Sequence, residues 1–119
     1  MERRAAREEA FKLLFSVDLN EEGVTEEYIE DTFVKTIVHG VISYKEGIDH
    51  QLEEHLTNWT IDRIALVEKT ILRIAIYEIE HIEDVPTAVS INEAVELAHK
   101  YGDEKSGKFI NGVLAKLIK

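Results

Sequence analysis

Residues 70–82 read TILRIAIYEIEHI, the most apolar stretch of the chain, and two secondary structures compete for it. Its alternation of apolar and polar residues resembles a strand. Extended backwards, however, Ile61, Ile64, Ile71, Leu72, Ala75 and Ile79 keep a 3.6-residue period over a length that no ordinary strand reaches. The spacing predicts a central buried helix from Thr60 to about His81.

Outward from this helix, apolar residues recur at three- and four-residue steps almost throughout, interrupted by one proline, Pro86, and six glycines. A first helix is predicted from about Arg3 to Asp18, with Ala6, Ala10, Leu13, Leu14 and Val17 on its buried face. Asn20 to Gly23 ends it, and a short helix is expected near Thr25. A long helix follows from about Thr32 to His55, with Phe33, Ile37, Val41, Tyr44, Ile48 and Leu52 as its stripe; Gly40 and Gly47 within it are read as points of close packing. Beyond Pro86, the segment SINEAVELAHKYG (residues 90–102) offers Ser90 and Glu93 as a capping box and Gly102 as the stop, with Thr87 as an alternative start. A last helix, about Ser106 to Ile118, has Ser106 as its cap. The expected fold is all-α: one domain over residues 1–119, an irregular bundle of about six to seven helices in two antiparallel layers.

The 119 residues contain no cysteine, which excludes disulfides, thiolate metal sites and cysteine nucleophiles and fits a reducing compartment. No apolar run approaches bilayer length, so no membrane association is expected and a cytoplasmic location is. The formal net charge of -10 is unevenly spread. Residues 1–12 hold four basic residues against three acids, and residues 100–119 hold five lysines against two acids, whereas residues 13–99 hold five basic and nineteen acidic residues. Basic ends suit a polyanion, and an acidic middle suits a basic protein.

On a helical wheel Arg4, Arg7, Phe11 and Phe15 share one side of the first helix, beside its buried face. Guanidinium groups hold phosphates and rings stack on splayed bases, so such a strip fits single-stranded RNA. Phe11 is read as core, while Phe15 suits either core or stacking. In the last helix Lys105, Lys108, Lys116 and Lys119 share an arc with Gly112, with Phe109 at its edge. If the two basic strips meet, they form one groove. Glu78/His81 and Glu96/His99 repeat the E-x-x-H spacing of di-iron bundles, but across a hairpin near Pro86 they fall out of register; neither a metal nor a cofactor is expected. No phosphate loop or nucleophile elbow is present, so the reading is non-enzymatic.

Taken together, AREEA (6–10), EKTILRIAIYEIE (68–80), PTAVSINEAVELAHKYG (86–102) and SGKFINGVL (106–114) resemble the NusB family of bacterial transcription antitermination factors over nearly the whole chain. The resemblance implies an all-helical fold in two subdomains that binds the boxA segment of nascent RNA together with NusE, the ribosomal protein S ten of the small subunit. It also implies joining the elongating RNA polymerase complex during ribosomal RNA synthesis. Some relatives pair with themselves, so a homodimer stands among the expected partners. Carried over by position, the family's RNA contacts fall on Arg3, Arg4, Arg7, Phe15, Glu68, Lys105, Lys108 and Phe109; because a ribosomal protein is basic, carboxylates of the acidic middle such as Asp62 and Glu68 are expected to meet NusE. Asn111 and Gly112 match the same motif, with local hydrogen bonding and close helix packing as their structural reading. The competing class is an acidic protein-interaction module that does not touch RNA.

Overall fold

A computed structural model describes residues 1–21, 28–56 and 60–118. Among these the chain forms six α-helices and no strand: α1 (Arg3–Asn20), α2 (Thr32–Ser43), α3 (Lys45–His55), α4 (Leu66–His81), α5 (Thr87–Tyr101) and α6 (Ser106–Leu117). The short helix expected near Thr25 lies outside the described residues. None of the helices is long and apolar enough to cross a membrane.

The apolar stretch at residues 70–82 forms the axis of the molecule. Every residue of α4 from Thr70 to Glu78 is buried, so this helix is walled in on all sides. It begins later than the periodicity predicted, because Ile61–Arg63 forms a 3₁₀ turn and Ile64 and Ala65 are extended. Ile64 is still buried, since a 3₁₀ turn and an extended pair can return an apolar side chain to the core just as a helix does.

The predicted helix from Thr32 to His55 is two helices. At Tyr44 the backbone leaves the helical region (φ -106°, ψ 13°), dividing α2 from α3 while both keep their apolar stripes on α4. Gly40 is required by close packing, because a Cβ there would fall within the Tyr77 ring. Gly47 is not: open space surrounds its Cβ position. Helix α2 is capped by Asp31, whose carboxylate accepts from the Val34 N–H at 3.0 Å and is held below the usual carboxylate range by that bond.

Helix α5 starts at Thr87, directly after Pro86, so Ser90 is a buried interior residue instead of a cap. Ser106 is the first residue of α6. Its hydroxyl accepts from the Asp103 N–H at 3.0 Å, and the Asp103 carboxylate accepts from the Lys105 N–H at 2.8 Å, closing the turn between α5 and α6.

Buried ion pairs set the helix directions. Arg7 of α1 clasps Glu78 near the end of α4 at 2.8 to 2.9 Å, while Asp18, further along α1, meets Arg73, earlier in α4, at 3.1 Å. Helices α1 and α4 are therefore antiparallel. Arg4 on Glu93, Glu8 on Lys100 and Phe11 on Tyr101 show that α5 runs parallel to α1. One continuous apolar core draws on all six helices, with α4 at its centre, packed against α1, α2, α3, α5 and α6.

Candidate nucleic-acid interface

The predicted site residues fall at two ends of the bundle. Arg3, Arg4 and Arg7 lie at the start of α1, beside the start of α5. Because α4 opposes α1 and α5 follows it, the other end gathers the second half of α1 with Phe15, the first turn of α4 with Glu68, and the close of α5. Lys105, Lys108 and Phe109 follow there at the start of α6. From Glu93 to Tyr101 the rise along α5 is about 12 Å.

A single basic groove joining the two ends is not what folding builds. Glu93 and Lys100 of α5 reach toward α1, whereas Val95, His99 and Gly102 face α6. At about 100° per residue these two sets lie roughly 100° to 180° apart around α5, so α1 and α6 occupy different flanks of it.

At the arginine end every guanidinium already has a carboxylate. Arg3 donates to Asp84 at 2.9 Å and lies over the Phe33 ring at 4.6 Å. Arg4 makes a bidentate pair with Glu93 at 2.7 and 3.0 Å, which raises the Arg4 pKa and lowers that of Glu93. The Arg3 guanidinium likewise holds the Asp84 carboxyl low.

Arg7 does not share the exposed strip expected for it with Arg4: its side chain is only 5% exposed and is committed to Glu78, which is 1% exposed. Desolvation pushes the Glu78 carboxyl up, and the Arg7 contact opposes that shift. The reason is rotation: Arg7 falls nearer the α4 side of α1 than Arg4 does. Glu78 is thereby unavailable as a metal ligand, and the His81 ring is stacked against Tyr44 and Tyr77 at 4.3 and 4.9 Å.

Phe11 is core, and Phe15 is half-buried against it with ring centroids 5.7 Å apart. Tyr101 packs on Phe11 from α5 and donates its hydroxyl to Glu8 at 2.6 Å, a bond that raises the phenol pKa to about 12. Lys100 and Tyr101 together hold the Glu8 carboxyl low. Glu68 is half-buried in the first turn of α4, and Asp62 is exposed on the 3₁₀ turn leading to it.

The α6 end is electrostatically different. Lys105 and Lys108 are exposed, and neither has an ion-pair partner among the described residues. Phe109 is half-buried and lines a groove of about 210 Å³ with Lys108, Gly112, Val113 and Lys116 of α6 and His55 and Leu56 from the end of α3. Gly112 does not serve close packing among the described residues, since none of them lies within 4 Å of its Cβ position. Lys119, the last member of the predicted arc, lies outside the described residues. His55, Glu93 and the Glu8–Lys100–Tyr101 cluster were not singled out as site residues from the sequence. Only the packing of α3 on α6 and of α1 on α5 brings them to these places.

Fold and surface together define a small all-helical domain that presents unpaired ammonium groups and aromatic rings at one end of an otherwise acidic body. The chain belongs to the NusB family, whose model matches residues 4–119. It is 54% identical to the transcription antitermination protein NusB of Oceanobacillus iheyensis, over 99% of both chains, and 44% identical to that of Bacillus subtilis, over 98% and 95%. Among solved structures it superposes on T. maritima NusB with a TM-score of 0.89 at 32% identity, covering 98% of this chain and 90% of that one. A structure of the antitermination factors NusB and NusE in complex with dsRNA matches with a TM-score of 0.82 at 32% identity, covering 97% and 94%.

Proposed function

We propose that this protein is a non-enzymatic transcription antitermination factor of the cytoplasm. In this reading it binds boxA RNA of nascent transcripts together with NusE and joins the elongating RNA polymerase complex during ribosomal RNA synthesis. The observation that carries the reading is the α6 end: Lys105 and Lys108 stand unpaired beside Phe109, with Phe15 and Glu68 at the same end of the bundle. Ammonium groups there neutralise phosphates, the rings stack bases, and the Glu68 carboxylate accepts from base amino groups. Exposed carboxylates such as Asp62 face the basic ribosomal protein. The similarity to a NusB that was solved with NusE and dsRNA supports the same pair of partners.

One feature favours the second reading, an acidic protein-interaction module without RNA contact: the arginines are neutralised internally. The two separate in a single titration. Binding of a boxA-bearing single-stranded RNA, with and without NusE across a salt series, is expected to tighten when NusE is present and to weaken steeply with salt. Tight NusE binding with no gain in RNA affinity selects the second reading.

A further inference from the structure

Of the two glycines in α6, the fold requires only one. A Cβ on Gly107 would press into the His99 ring at 2.7 Å, whereas nothing lies within 4 Å of the Cβ position of Gly112, and that residue is exposed. Glycine in a helix interior weakens it relative to alanine, so Gly112 carries a cost that no contact among the described residues offsets.

Its surroundings indicate what approaches. Gly112 lies in the groove between α3 and α6, with Lys108 one turn before it, Lys116 one turn after it, and Phe109 and His55 alongside. The other grooves described on the molecule each contain carboxylates: Asp31, Glu83 and Asp84 in one, Asp18 in the next, Glu8, Glu93 and Glu96 in the third. The α3–α6 groove has none among its described lining residues. On a chain of net charge -10, a groove with no carboxylate among its described lining residues, and with the exposed Lys108 ammonium on its wall lacking an ion-pair partner among the described residues, favours an anion over a basic protein. Lys108 and Lys116 stand about 12 Å apart along the helix axis, a span that suits a chain of linked phosphates better than one small anion.

We infer that this groove seats the sugar–phosphate backbone of a single RNA strand, with Gly112 as its floor: the missing side chain lets the strand lie against the α6 backbone between the two lysines. This rests on the proposed RNA-binding function and adds a positioning residue to it.

Gly47 provides a control, since it too is an exposed helical glycine with open space around its Cβ position, in the first turn of α3. Gly112→Ala is expected to raise Tm by roughly 3–5 °C from helix propensity, and Gly47→Ala by less, because it lies in the first turn of its helix. RNA binding separates them. In the presence of NusE, Gly112→Gln should weaken binding of a fluorescent boxA-bearing RNA by about tenfold and Gly112→Ala by about threefold, while Gly47→Gln leaves it unchanged. If Lys108→Ala weakens RNA binding and Gly112→Gln does not, the glycine floor is refuted and the RNA-binding function stands. If no variant changes RNA binding, or wild-type protein binds none, both fall. Loss of NusE affinity by Gly112→Gln without RNA would make the groove a protein contact and also overturn the inference.

Discussion

Arg3, Arg4 and Arg7 at the start of α1 each have a carboxylate within 3.0 Å, whereas Lys105 and Lys108 at the start of α6 have no ion-pair partner among the described residues. In sequence the two regions look alike, short basic clusters at the ends of an acidic chain. The fold treats them oppositely. At the α1 end, Glu78, Asp84 and Glu93 arrive from α4, the loop after it and α5, and turn the guanidinium groups into fasteners between helices. At the α6 end, positive charge remains directed at solvent. Formal charge along a chain is therefore a poor guide to potential at a surface, because an arginine already holding a carboxylate must exchange that partner for a phosphate.

The most severe way to test the contrast is Arg7→Ala. It leaves Glu78 buried without its partner, and destabilisation of about 3–5 kcal/mol is expected in urea unfolding. RNA affinity per folded molecule should be unchanged; a loss of RNA binding without a loss of stability would return Arg7 to the interface. A smaller effect, on binding alone, is expected from Lys108→Ala, which should lower RNA affinity and reduce the slope of log affinity against log salt by about 0.7. Arg4→Ala belongs just below it, since Glu93 competes with phosphate for that guanidinium. A loss from Arg4→Ala equal to or greater than that from Lys108→Ala would erase the distinction between the ends.

The smallest expected effect is in acid. Glu8, Asp84 and Glu93 have lowered pKa values, so their stabilisation is present above the unfolded values of 4.5 for Glu and 3.8 for Asp and is lost as pH falls through the folded ones. Tm should drop through that window. The combined Arg3→Ala and Arg4→Ala variant should show a shallower drop, whereas Lys105→Ala and Lys108→Ala together should leave the loss due to these three carboxylates in place.

Periodicity covered the helical segments of the described residues but merged α2 with α3 and started α4 too early, and these two failures share one cause. At Tyr44 and at Ile64–Ala65 the chain turns without interrupting the apolar spacing, so a pattern of side chains cannot reveal the break in the backbone. Composition and motif order sufficed for the all-helical class and the family. They also placed Lys105, Lys108 and Phe109 on one accessible stretch, because a single helix face is a local property. Whether Arg7 was free, whether Gly112 was needed for packing, and which residue of α3 would meet α6 were decided only by tertiary structure. Each depends on residues dozens of positions away, and ion pairing, desolvation and steric room exist only once those residues have been brought together.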